Sequence, residues 1–67
     1  MQVLIKNNES SISALRRDAV PEYVIRDIVG TEQRLEPSDR GMVLPKVTHG
    51  KLGLWNIAAE CYEIVER

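Results

Sequence analysis

The segment Leu44-Pro45-Lys46-Val47-Thr48-His49-Gly50-Lys51-Leu52-Gly53-Leu54-Trp55 constrains this chain more than any other part of it. Proline has no amide to give to a ladder, so Met42-Val43-Leu44 and Val47-Thr48, on either side of Pro45, read as an edge strand or two short pieces. His49-Gly50-Lys51 reads as a turn and Leu52 to Leu54 as a returning strand, with Gly50 and Gly53 letting the backbone bend sharply. The outcome is a short basic β-ribbon. From Leu54 onward the apolar spacing becomes helical. At about 100° per residue, Leu54, Trp55, Ile57, Ala58, Cys61, Tyr62, Ile64 and Val65 share one half of a helical wheel. Asn56, Ala59, Glu60, Glu63, Glu66 and Arg67 share the other. Period-two alternation fails at Ile57-Ala58-Ala59 and at Ile64-Val65. The spacing therefore predicts an amphipathic helix running to Arg67.

Upstream, Val3-Leu4-Ile5 is a β-branched and aliphatic run closed by the turn-prone pair Asn7-Asn8, which predicts a short N-terminal strand. Ser10 or Ser11 is expected to cap a first helix. Ile12, Leu15 and Ala19 fall on one face of it. Pro21 disfavours the α conformation at Val20, so this helix should stop near Asp18 or Ala19. Pro21 then opens a second helix with the apolar stripe Val24, Ile25, Ile28 and Val29, and Gly30 terminates it. Residues 31–41 carry five charged side chains (Glu32, Arg34, Glu36, Asp39 and Arg40) and only Leu35 to bury. That composition predicts a solvated loop, with Pro37-Ser38-Asp39-Arg40 as a type I turn before Gly41.

The expected fold is α+β and winged-helix-like: about three helices, a short N-terminal strand and a small β-ribbon in one domain spanning 1–67. A chain of 67 residues sits near the lower limit for burying a core alone. It has no Phe, one Trp and two Tyr, so Ile, Val, Leu and Ala must supply that core. A homodimer is an expected source of further burial. Cys61 is the sole cysteine, which excludes an internal disulfide and a thiolate metal cluster. The early apolar run is too short for a signal peptide, and no stretch approaches the ~20 apolar residues of a membrane span. The sequence reads as that of a soluble cytoplasmic protein.

Catalytic chemistry finds little support. His49 is the only histidine, which excludes a two-histidine metal site. No serine sits in a nucleophile elbow. Gly50 and Gly53 match neither nucleotide-binding glycine pattern. No enzyme activity, cofactor or metal is expected. The charge is −1 and the sequence pI ≈ 5.7, which argues against a strong non-specific grip on nucleic acid. Locally the balance differs, because no acidic residue lies between Arg40 and Ala59. The ordinary reading is a solvated hairpin; the functional one is a basic wing along a phosphate backbone, formed by Arg40, Lys46, His49 and Lys51. Arg16, Arg17 and Arg26 extend that patch if the two helices pack beside it. On the last helix, Trp55, Ile57, Cys61 and Ile64 read as core anchors or as a partner interface.

Leu44-Pro45-Lys46, Gly50-Lys51 and Gly53-Leu54-Trp55, with the helix expected through Glu60, resemble the C-terminal part of the small phage excisionases and AlpA-type regulators. The resemblance implies a winged helix-turn-helix, with one helix in the major groove and the wing on the minor groove or backbone. It implies a DNA-binding accessory or regulatory factor with double-stranded DNA as partner. The preceding helix offers Tyr23, Arg26 and Glu22 for such a role. A different class of function also fits the small acidic chain and its aliphatic faces: an inhibitor or adaptor, of the counter-defence or antitoxin kind, that occludes a host protein's surface. A compact nuclease toxin using Arg, His and Glu is a third reading.

Overall fold

A computed structural model describes residues 1–65. The order of elements is β1 (Gln2–Ile5), α1 (Glu9–Arg17), α2 (Glu22–Ile28), β2 (Glu32–Arg34), β3 (Glu36–Ser38), β4 (Gly41–Thr48), β5 (Lys51–Asn56), a 3₁₀ turn (Ala59–Cys61) and β6 (Tyr62–Ile64). Two antiparallel three-stranded sheets result, ordered β2-β1-β6 and β3-β4-β5. The chain passes from the first sheet to the second at Leu35 and back again through Ile57-Ala58. Leu35 and Ile57 are both buried at these corners.

Local signals explain the first thirty residues. Asn8, not Ser10 or Ser11, caps α1: its side-chain oxygen accepts the Ser11 amide at 2.8 Å. Ser11 is thereby left inside the helix, where its hydroxyl donates to the Cys61 carbonyl at 3.3 Å. α1 ends at Arg17 with Asp18 as its C-cap, close to the stop expected near Asp18 or Ala19. The Ala19 amide then reaches the Arg16 carbonyl and the Val20 amide the Leu15 carbonyl, a Schellman closure. Ala19 makes that closure with φ +62°, so it lies beyond the helix and not on its apolar face. Pro21 caps α2, which buries Val24, Ile25 and Ile28. Gly30 takes φ +74° and donates to the Ile5 carbonyl at 2.8 Å, which returns the chain beside β1.

The core gathers Val3 and Ile5 from β1, Ala14 and Leu15 from α1, and Val24, Ile25 and Ile28 from α2, together with Val20, Leu35, Leu44, Ile57 and Cys61. β1 is the middle strand of its sheet, and its register sets Val3 opposite Gln33 on one side and Ile64 on the other.

Two expectations are overturned. The chain has two α-helices among its described residues, not about three, and six strands in place of one strand and a ribbon. The helix expected from Leu54 is absent. β5 runs on to Asn56, one 3₁₀ turn follows, and β6 pairs with β1; the final residues of that expected helix, Glu66 and Arg67, lie outside the described residues. The helical wheel grouped side chains that the fold separates, since Ile57 and Cys61 are buried while Leu54 and Ile64 are exposed. Aromatic and β-branched residues (Trp55, Ile57, Tyr62, Ile64 and Val65) suit extended backbone, and β1 needs a partner on each edge. Lys51-Leu52-Gly53, just before Leu54, offers no side-chain oxygen to cap a helix either. The second correction concerns 31–41, expected as a loop. It holds β2 and β3, two edge strands of three residues each, whose mostly exposed polar side chains mimic loop composition.

Candidate interaction surface

The β4–β5 hairpin carries the surface that sets this molecule apart. Its turn is local chemistry: His49 at φ +51° and Gly50 at φ +76° make the doubly left-handed two-residue turn that matches strand twist. Thr48 and Lys51 close it, and the register runs back through Val47↔Leu52, Lys46↔Gly53, Pro45↔Leu54, Leu44↔Trp55 and Val43↔Asn56. Cross-strand partners share a face, so the hairpin has two distinct sides.

One side turns inward. It carries Leu44, which is fully buried, and Trp55, which is half-buried. A Cβ built on Gly53 would lie 2.4 Å from the tip of the Trp55 indole, so the ring lies across a position that only glycine leaves open. Lys46 and Lys51 belong to this side as well. At the turn, His49 meets the Tyr23 ring of α2 edge-on, with centroids 5.4 Å apart.

The other side turns outward and is apolar. Val43, Pro45 and Val47 from β4 lie beside Leu52 and Leu54 from β5, with Asn56 at the end. Val47, Leu52 and Leu54 are 67%, 64% and 63% exposed. Together they form one contiguous apolar patch, and on a typical monomer the largest such patch spans roughly 300–600 Å². No charged residue of β4 or β5 stands on this side.

β4 is the middle strand of its sheet, not an edge, yet it accommodates Pro45. A two-residue turn closed by Thr48 and Lys51 makes even-numbered β4 residues and odd-numbered β5 residues bond across the hairpin. The Ile57 amide donating to the Met42 carbonyl continues that pattern. The amide position of Pro45 therefore points away from β5, and β3 extends only as far as Val43 on that flank. By the same parity, the amides and carbonyls of Leu52, Leu54 and Asn56 point to the free edge of β5.

The basic residues do not form one patch. Arg16 pairs with Glu22 at 2.7 Å and Arg17 with Glu60 at 2.8 Å, both at the surface; the Glu60 hydrogen bond and charge push the Arg17 pKa up. Arg26 lines a shallow groove of about 300 Å³ between the helices with Ile12, Arg16, Glu22, Ile25 and Val29. Arg40 lies in the β3–β4 turn, whereas His49 and Lys51 lie past the far end of β4, a strand about 23 Å long. Lys46, His49 and Lys51 alone share one end of the hairpin. Among the four expected anchors, Ile57 and Cys61 are core, Trp55 is partly covered and Ile64 is 59% exposed on an edge strand.

Cys61 is sealed in. Its thiol donates to the Ser11 carbonyl at 3.5 Å, and burial pushes its pKa up, which keeps it a thiol and not a nucleophile. Among the described residues, no three of His, Cys, Asp and Glu are placed to share a metal ion. No helix among them is long and apolar enough to cross a membrane. Sequence reasoning found the hairpin but missed its outer face. The signal was the turn pair His49-Gly50: it fixes the register and so aligns Val47 with Leu52 and Pro45 with Leu54.

No family model, curated protein or solved structure matches this chain.

Proposed function

We propose that this chain is a protein-interaction module that docks through the β4–β5 hairpin onto an apolar surface of another polypeptide. The observation that carries the reading is the hairpin's outer face, which holds no charged residue of β4 or β5 and leaves Val47, Leu52 and Leu54 each about two-thirds exposed. Burying such side chains yields binding free energy in proportion to their area, and an interface core is depleted in charge as this face is. The placement of Lys46 and Lys51 on the opposite side of the hairpin further supports it, because the apolar face then binds without desolvating a cation. An inhibitor or adaptor that occludes a partner's surface is the functional class this describes.

Photo-crosslinking tests it. A benzoylphenylalanine at position 52 or 54 in the expressed chain is expected to give discrete protein adducts, and one at position 16 none. Leu54→Asp should abolish the adducts formed from position 52. Adducts formed equally from all three positions would sink the reading. The DNA-binding alternative has Lys46, His49 and Lys51 at the hairpin end in its favour. Salt-sensitive duplex binding, lost in a Lys46→Ala/Lys51→Ala variant while position 52 stayed silent, would replace the proposal with it.

A further inference from the structure

We infer that the polypeptide met by this hairpin is a second copy of the same chain, joined through antiparallel pairing of the two β5 strands about Gly53; the inference rests on the reading of the hairpin as a docking element. β5 is an edge strand six residues long, and its outward backbone groups bond to no other strand among the described residues. An exposed edge of this length is a template for another strand unless charge, proline or a bulge blocks it. β5 has none of these on its outer face, where Leu52 and Leu54 stand.

Parity restricts the possible registers. Only Leu52, Leu54 and Asn56 aim amides and carbonyls outward, so a two-fold pair must place these residues opposite one another. Centring the two-fold on Leu52 sets Leu54 against Gly50 and brings the two Lys51 side chains close. Centring it on Leu54 sets Leu52 against Asn56. Centring it on Gly53 sets Leu52 against Leu54 of the second copy at both hydrogen-bonded positions. It also sets Lys51 against the Trp55 indole, a cation beside an aromatic ring. Gly53 then meets its own copy in the closer, non-hydrogen-bonded spacing, where it has no Cβ to obstruct the approach. The two Lys51 side chains end up about 14 Å apart, beyond the ~8 Å screening length at physiological salt.

The pairing produces one six-stranded sheet, β3-β4-β5 continued by the second copy's β5-β4-β3. Across its outer face run two rows, each reading Val47-Leu52 and then the second copy's Leu54-Pro45. Four leucines become cross-strand neighbours, so each is shielded along its flank. The apolar area of one hairpin is small beside the ~800 Å² per partner of a stable interface, so the dimer should form and dissociate with concentration.

Sedimentation velocity from about 1 µM to about 1 mM tests association across the range of weak dimers. The apparent mass should climb from the 7.6 kDa of one chain toward twice that value. Leu52→Lys/Leu54→Lys should hold it at the monomer while leaving the circular dichroism spectrum unchanged. Register is read by cysteine pairing, because opposed hydrogen-bonded positions at ~5.5 Å suit a disulfide. Mixed Leu52→Cys and Leu54→Cys chains should join to each other under oxidation, and Leu52→Cys alone should not self-join. A chain that stays monomeric throughout, a dimer untouched by the double lysine variant, or self-joining of Leu52→Cys would overturn the proposal. Position-52 photo-adducts from a monomeric chain would overturn the second copy alone, whereas the absence of any adduct in a monomeric chain would overturn the docking role too.

Discussion

The two faces of the β4–β5 hairpin both carry large apolar side chains and do opposite things with them. On the inner face, Leu44 is fully buried and Trp55 lies over Gly53, held in a core shared with both helices. On the outer face, Val47, Leu52 and Leu54 are as apolar but remain about two-thirds exposed. Hydrophobicity alone does not separate them; register does. The closing pair Thr48 and Lys51 assigns every residue of both strands to a side, and a slip of one residue would exchange the two sets.

The strongest way to break the comparison is at its most buried point. Leu44→Ala removes a side chain that is fully enclosed, and should cost about 2–5 kcal/mol of unfolding free energy, read from urea titration. A loss below about 0.5 kcal/mol, the level of an ordinary surface change, would mean that the inner face is not core. Gly53→Ala probes the same side more gently. The new methyl must displace the Trp55 ring from 2.4 Å, at about 1–3 kcal/mol, with a change in tryptophan fluorescence. The double variant Gly53→Ala/Trp55→Leu should recover part of that loss, since the obstructing ring is gone.

Cys61 extends the buried side to the foot of β6. Its thiol is neutral in both states at neutral pH, and burial raises its pKa in the folded state above the ordinary 9.0. Above about pH 9 the unfolded chain loses that proton first, so stability should fall as pH rises, by at most about 1.4 kcal/mol per unit for one proton. Cys61→Ala should flatten that alkaline limb. Stability that rises through the same window would contradict the burial of the thiol.

Ala19 supplies the inverse of Gly53: a position where a Cβ is present and unwelcome. It closes α1 at φ +62°, where glycine is unstrained. Ala19→Gly should raise stability by about 0.5–1 kcal/mol in thermal unfolding, the reverse sign of Gly53→Ala. The two variants together separate backbone strain from side-chain crowding.

What could be read from the sequence follows how local each cause is. Pro21, Gly30 and the His49-Gly50 turn act within a few residues, and the structure keeps each where the sequence places it. Leu35 was legible as the one residue of 31–41 with something to bury. The cap was expected at Ser10 or Ser11, two or three positions past Asn8, because Asn and Ser are equally able to cap and composition does not choose between them. β6 was illegible: it exists because β1, some sixty positions earlier, has a second edge to fill. A helical wheel sees no such partner. The basic patch failed for a related reason, since Arg16 and Arg17 find Glu22 and Glu60, and a whole strand separates Arg40 from Lys51. The outer apolar face needed only the turn type and a count of residues back along both strands.

The smallest expected effect is the one that sharpens the comparison most. Leu52→Thr puts a residue of good strand propensity at a position 64% exposed, so it creates no cavity and strands no polar group. For the dilute monomer its effect on unfolding should lie within about ±0.5 kcal/mol, against several for Leu44→Ala three pairs of residues away. If the outer face is engaged by a second copy, that equality must fail with concentration, because a folded dimer is stabilised by mass action and a monomer is not. The unfolding midpoint of the wild type should then climb with protein concentration while that of Leu52→Thr climbs less. Midpoints that climb together would leave the outer leucine without a role in association; midpoints already far apart in the dilute limit would show Leu52 to be core, and erase the distinction between the faces.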